Sequence, residues 1–284
     1  MIVRVNNIAN FYAIAMQTGQ LINLGDALDL TGKVVLVTGG VSGIGAGIST
    51  RFLQAGATVV ACSRRPPLEL PSVGSREVEY HACDVRRAAE CQQLVESVLA
   101  RHGRLDVLVN NAGGGGEMPS AEMDPVIVEK IIQLNLTAAF FMSQAAYRGM
   151  LVSGEGGSIV NISSVSAVRA SPFSAAYGAA KAGLVNLSES LAMEWGPQGI
   201  RVNSLIVGLV ATPNSLEHYG GDAGLKRIGA MLPLGRMGEP ADVADVCVFL
   251  ASPLARYVSG AQIAVHGGGE KPVFLDLAKA SKSR

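Results

Sequence analysis

From residue 33 onward the chain alternates short, largely β-branched apolar runs with longer stretches whose apolar positions recur at helical spacing. Runs at 34–38, 58–61, 78–82, 105–110, 157–162, 201–206 and 262–265 read as strands. Their near-continuous hydrophobicity is that of strands covered on both faces. The stretches 44–54, 88–101, 126–147, 176–195 and 240–251 read as helices long enough to cross over between parallel strands. This alternation predicts an α/β fold: a doubly wound parallel sheet of seven strands in one domain, 29–269. Residues 1–28 carry no sustained period and read as an extension, and 270–284 read as a polar tail. In such a sheet ligands bind beyond the carboxyl ends of the strands, where strand order reverses, so the strand ends are the places to search for chemistry.

The first predicted strand runs into Thr38-Gly39-Gly40-Val41-Ser42-Gly43-Ile44-Gly45, and a helix follows at once. Glycines there allow a sharp turn and let a pyrophosphate approach the helix N-terminus, whose free N–H groups and positive dipole end favour anions. The position after a strand and before a helix raises a weak glycine pattern to a dinucleotide-binding expectation for Gly39, Ser42, Gly43, Ile44 and Gly45. An acidic residue at the end of the second strand would favour NAD(H); this chain has Ser63-Arg64-Arg65 instead. A guanidinium at Arg64 can pair with a 2′-phosphate and Ser63 can donate to it, so NADP(H) is expected over NAD(H).

Two further strand ends carry chemistry-bearing residues. The fourth closes on Asn110-Asn111-Ala112-Gly113 and the fifth on Ser163-Ser164, and downstream Tyr177 and Lys181 are spaced i, i+4 on one helix face. A phenol exchanges protons poorly at neutral pH unless a nearby ammonium favours its phenolate, and Lys181 is placed to supply that field.

Together, the Thr-Gly-x-x-x-Gly-x-Gly turn, the Asn-Asn-Ala-Gly strand end, Ser164 and Tyr-x-x-x-Lys resemble the short-chain dehydrogenase/reductase family over about 30–269, and the chain is similar to its 3-oxoacyl thioester reductases. The resemblance implies a Rossmann-type sheet in the order 3-2-1-4-5-6-7 and a homotetramer. It implies Tyr177 as general acid/base, Ser164 as the hydroxyl on the substrate oxygen, and Lys181 as the group that holds the nicotinamide ribose and lowers the tyrosine pKa. Asn135 matches the family's fourth catalytic position, where the side chain and backbone help anchor a water in a proton relay. Asn111, Ala112 and Gly113 are implied on the adenosine ribose side, Asp84 and Val85 at the adenine, and Gly208 and Thr212 near the nicotinamide. Two departures stand out: Val207-Gly208 replaces the usual Pro-Gly, leaving that backbone less restrained, and His266 replaces the usual Asp near the end, where it reads as a surface or subunit-contact residue.

The implied reaction is hydride transfer between nicotinamide and a carbonyl carbon, ketone to secondary alcohol, on a 3-oxoacyl thioester. The alternatives are a steroid, polyketide, sugar or other secondary alcohol, or a dinucleotide-binding sensor without chemistry. The segment 209–233 reads as a substrate lid, and its Leu216, Tyr219, Leu225 and Met231 point to an apolar ligand or to packing of the lid on itself.

Composition narrows the partners. Equal numbers of basic and acidic residues, 23 each, provide no field to hold nucleic acid or an anionic membrane. A charged fraction of 16% with a mean hydropathy of +0.32 leaves much weakly polar surface for subunits to cover. Cys62, Cys83, Cys91 and Cys247 have neither metal-ligand nor disulfide-scaffold spacing and read as reduced core residues. No uninterrupted apolar run reaches bilayer-spanning length, and His81, His102 and His218 have no paired ligand spacing, so the expectation is a cytoplasmic, metal-free protein.

Overall fold

The computed structural model describes residues 26–269; the body of the expected extension and the tail at 270–284 lie outside them. Seven strands form one parallel sheet: β1 (Val34–Thr38), β2 (Thr58–Ser63), β3 (Glu79–Ala82), β4 (Val107–Asn110), β5 (Gly157–Ile162), β6 (Ile200–Val207) and β7 (Gln262–Val265). Their order is β3-β2-β1-β4-β5-β6-β7, so the order reverses between β1 and β4, as the motifs implied. A two-residue ladder that the periodicity did not reveal, Ser72–Val73 against Arg76–Glu77, sits outside this sheet.

Eight α-helices occur among the described residues: α1 (Gly43–Gln54), α2 (Ala88–His102), α3 (Pro125–Ile132), α4 (Ala138–Ser153), α5 (Ala175–Trp195), α6 (Pro213–His218), α7 (Gly221–Met231) and α8 (Pro240–Ala251). Alternate residues of each strand face opposite sides, and the two cores follow that rule. Val35 and Val37 pack with Ile48 and Phe52 of α1 and with Val243 and Cys247 of α8. Val34 and Leu36 pack with Cys91 and Leu94 of α2 and with Met142 and Ala146 of α4. The four cysteines are free thiols inside these cores, as expected.

The helix expected at 126–147 is interrupted. Between α3 and α4 the segment Gln133–Thr137 forms a π turn. The Asn135 side chain donates from Nδ2 to the Ile131 carbonyl at 2.9 Å, competing for the acceptor that the Asn135 N–H would use in an unbroken α-helix. The whole stretch Pro125–Ser153 is long and apolar enough, by length and composition, to cross a membrane, which amends the reading of the bare apolar runs. Its Ala138, Met142, Ala145 and Met150 belong to the second core, against the sheet.

Candidate active site

The loop after β1 and the loop after β4 are tied together at the point of strand reversal. Thr38 Oγ1 accepts from the backbone N–H groups of Asn111 and Ala112 at 3.0 and 2.9 Å. In return Asn111 Nδ2 donates to the carbonyls of Thr38 and Gly39 at 2.9 and 3.2 Å. Asn111 therefore clamps the glycine turn to the fourth strand end. The clamp needs bare backbone: a Cβ on Gly45 would run into the Gly39 carbonyl, and one on Gly39, itself at φ 64°, would lie 3.0 Å from Asn111 Nδ2.

This turn forms one wall of a cleft of about 330 Å³ lined by Gly39, Ser42, Gly43, Ile44 and Gly45, together with Asn111, Ala112 and Gly113. Ser164, Tyr177, Lys181, Gly208 and Thr212 complete the expected residues along it, while Gly114, Ser163 and Asn214 line it without having been singled out from the sequence. Ser163 was legible only as a neighbour of Ser164; its Oγ donates to the Lys181 carbonyl at 3.0 Å and joins β5 to α5.

A nicotinamide dinucleotide fits this cleft. The first turn of α1 has no acidic residue and its N-cap, Ser42, makes no side-chain capping bond, so the helix N-terminus is open to an anion. The glycine turn keeps clear the space that side chains would fill.

Tyr177 and Ser164 meet at the other end of the cleft, phenol hydrogen-bonded to hydroxyl. Ser164 is the N-cap of a 3₁₀ turn, Val165–Ala167, and its Oγ accepts from Ser166 N–H at 3.2 Å, which orients it. Lys181, one helical turn beyond Tyr177, is buried, with Nζ 5.6 Å from the Tyr177 ring centroid and donating to the Ile162 carbonyl at 2.8 Å. Burial pulls its ammonium down to about 8. The expected electrostatic lowering of the phenol by Lys181 is thus corrected: burial raises Tyr177 above the ordinary tyrosine value, and the opposing pull comes from Ser164.

Asn135 lies beneath the cleft and is 1% exposed. Its carboxamide spans the loop after β4, accepting from Gly114 N–H at 2.9 Å and donating to the Gly114 carbonyl at 2.8 Å. With Ile131 as its third partner, the side chain is committed to protein rather than to a water, which corrects half of the expected role and leaves the backbone of the π turn for the other half.

The four remaining expected residues stand outside the lining of this cleft. Ser63 Oγ donates to the Arg65 carbonyl at 2.6 Å, so its proton closes the turn and is not directed at a phosphate as expected. Arg64 is exposed beside it. Asp84 is held by Nε and Nη2 of Arg86, at 2.8 and 2.6 Å, and this pairing pulls its carboxyl down to about 2. Val85 is buried in the second core, so its side chain is a packing element.

Beyond Tyr177 opens a second cavity of about 580 Å³, between the Gly114–Glu117 segment and the lid. The lid side is made of Thr212, Asn214, Ser215, His218 and Tyr219. Of the four lid residues expected to face an apolar ligand, only Tyr219 lines this cavity; Leu216 and Met231 are 39% and 65% exposed elsewhere. Of the two readings of these side chains, an apolar ligand or packing of the lid, the lining supports the first for Tyr219 alone; the lid meets the cavity through the short helix α6, capped by a reciprocal Thr212–Ser215 box. His266, expected as a surface or subunit-contact residue, is half-buried against Gly208, where a Cβ would come within 2.6 Å of His266 Cβ. That contact, rather than a proline, restrains the backbone after β6.

Residues 39–270 match the family model of enoyl-(acyl carrier protein) reductase. The chain is 36% identical over 257 residues to L-rhamnose-1-dehydrogenase of Scheffersomyces stipitis, covering 87% of this chain and 98% of that protein. It is 37% identical over 244 residues to D-threitol dehydrogenase of Mycolicibacterium smegmatis, covering 84% and 93%. Among solved structures, aldohexose dehydrogenase of Thermoplasma acidophilum superposes with a TM-score of 0.77 at 30% identity, over 84% of this chain and 94% of that one.

Proposed function

The chain belongs to the short-chain dehydrogenase/reductase family and is an NAD(P)-dependent oxidoreductase acting on CH–OH donors, and from that premise we propose that its substrate is a sugar or polyol. The observation that carries this reading is that the lid side of the cavity in front of Tyr177 brings Asn214 and His218, side chains able to hydrogen-bond a hydroxyl-bearing substrate, up to the catalytic tyrosine. The relatives named for rhamnose and threitol support the same choice, and the 3-oxoacyl thioester becomes the second reading.

When bound, the nicotinamide cofactor supplies or accepts the hydride. The glycine turn and the N-terminus of α1 would hold its pyrophosphate, Gly208 and Thr212 its nicotinamide end, and Lys181 its ribose, all of them residues that line the cleft. Tyr177 takes the hydroxyl proton in oxidation and returns it in reduction. Ser164, already hydrogen-bonded to the phenol, holds the same substrate oxygen and stabilises the charge that develops on it. Asn135 acts by fixing the Gly114 loop, with the carbonyls of its π turn anchoring the water that leads the proton to solvent.

NADP(H) is preferred in this reading. Arg64 and Arg65 stand exposed at the end of β2, and the nearby Asp84 is already neutralised by Arg86, so no free carboxylate repels a 2′-phosphate. This reading also takes the protein to be cytoplasmic and a homotetramer; Val126, Val152, Met193 and Leu234, 52–83% exposed, support association by offering apolar surface for subunits to cover. Sedimentation equilibrium tests that assembly.

The substrate reading is tested by absorbance at the nicotinamide band. Aldoses and alditols are assayed with NADP⁺ and NAD⁺, and a 3-oxoacyl thioester and cyclohexanone with the reduced cofactors. Turnover of at least one sugar or polyol with the highest kcat/KM is expected; a higher kcat/KM for the thioester overturns the reading.

A further inference from the structure

Glu117 is the acidic side chain in the lining of the Tyr177 cavity, and the chemistry above does not use it. It arrives there by a route that few sequences could follow. The run Gly113–Gly116 passes across the face of the catalytic tyrosine, so close that a Cβ on Gly115 would lie 3.2 Å from both Cβ and Cδ2 of Tyr177. Gly114 has φ 149°, a conformation side chains rarely adopt. Immediately after Glu117, Met118 N–H donates to the Phe173 carbonyl at 2.8 Å. Phe173 is itself held at φ 64°, the one positive φ outside glycine among the described residues. An unfavourable backbone is maintained where it fastens the loop bearing Glu117 to the loop that leads into α5 and Tyr177. Across the cavity the lid presents His218, set edge-on to Tyr219 with centroids 4.6 Å apart.

We infer that Glu117 is a specificity-determining residue, whose carboxylate accepts hydrogen bonds from two neighbouring hydroxyls of a polyhydroxylated substrate while Tyr177 and Ser164 hold the reacting one. A carboxylate offers two oxygens with about four lone-pair sites and no donor, which suits a vicinal diol. Glu117 is exposed, so its carboxylate stays hydrated until a substrate covers it; an apolar substrate that does so removes that water and returns no donor, and the same group therefore disfavours simple ketones and acyl chains. This inference rests on the sugar or polyol reading and adds the group that enforces it.

The test compares the parent with Glu117→Gln and Glu117→Asp, using the aldose or alditol of highest kcat/KM and cyclohexanol as an apolar secondary alcohol, with cofactor Kd measured by fluorescence titration. Expected for Glu117→Gln are a KM for the polyol raised at least tenfold, a polyol-to-cyclohexanol ratio of kcat/KM lowered at least tenfold, and a cofactor Kd within twofold of the parent. Glu117→Asp, which restores the charge, is expected to recover part of the ratio. A parent that turns over polyols, with both variants keeping its KM and ratio within twofold, overturns the role of Glu117 and leaves the sugar or polyol reading standing. A parent inert toward every aldose and alditol removes both. A cofactor Kd that rises with the KM also overturns the inference, since Glu117 would then act on the cofactor cleft.

Discussion

Asn135 grips both backbone polar groups of Gly114, accepting from its N–H at 2.9 Å and donating to its carbonyl at 2.8 Å, so a side chain on the π turn sets the position of the loop that passes over Tyr177. Asn135→Asp keeps the acceptor and removes both donors. The Gly114 and Ile131 carbonyls lose partners and an anion is buried in their place. The expected result is a loss of about 3 kcal/mol in unfolding free energy and a fall in kcat/KM of about 10²-fold. Chemical denaturation and steady-state kinetics on the same preparations measure both, and an unchanged denaturation midpoint would contradict the clamp.

Tyr177→Phe removes the proton-carrying oxygen and keeps the ring against Gly115, so kcat is expected to drop about 10²- to 10⁴-fold with cofactor Kd unchanged. Ser164→Ala tests the electrostatics. Burial raises the phenol and Ser164 opposes that rise, so removing the hydroxyl moves the phenol further up. Alcohol oxidation needs the deprotonated phenol and increases with pH, and in Ser164→Ala that rise should shift to higher pH. A profile that stays in place or moves down would show that the hydrogen bond does not tune Tyr177.

Lys181 carries a stability signature that a surface lysine would not. Its folded pKa, about 8, lies below the ordinary 10.5, so above pH 8 the unfolded chain binds more protons than the folded one and stability rises with pH until the unfolded lysine also titrates. Below pH 8 both states are protonated and the full cost of the buried charge is present. Lys181→Met abolishes this dependence. Between pH 7 and pH 10 the parent should gain about 2–3 kcal/mol relative to the variant. Parallel stability curves across that range would refute the burial of the charged amine.

Arg64→Asp places a carboxylate beside the ribose 2′-position and should reverse the ratio of kcat/KM for NADP(H) and NAD(H) at fixed ionic strength. The side chain is exposed, so the fold is expected to survive. If the variant keeps the parent's NADP(H) preference, Arg65 becomes the group to change next. A parent that prefers NAD(H) would remove the phosphate site from the end of β2 altogether.

Much of this molecule was open to reading from the chain itself. Strand and helix placement followed from local periodicity, because a strand covered on both faces has to be apolar throughout and a crossover helix has to repeat its apolar positions at 3.6. The strand order and the set Ser164, Tyr177 and Lys181 came with the family resemblance that the motifs carry, and spacing alone placed only Tyr177 and Lys181 together, one turn apart on a single helix.

Tertiary structure decided the rest. Ser63 proved to spend its proton on Arg65, Val85 to turn into the core, and Asn135 to commit its carboxamide to Gly114 and so break the helix predicted as continuous. Which lid residues reach the cavity depended on how α6 lies over Tyr177, and of the four apolar residues in that segment only Tyr219 does. Periodicity and motif spacing record what lies near in sequence. Hydrogen-bond partners, desolvation and the orientation of one segment over another arise between residues far apart in the chain, and they take definite values only when the sheet brings its strand ends together.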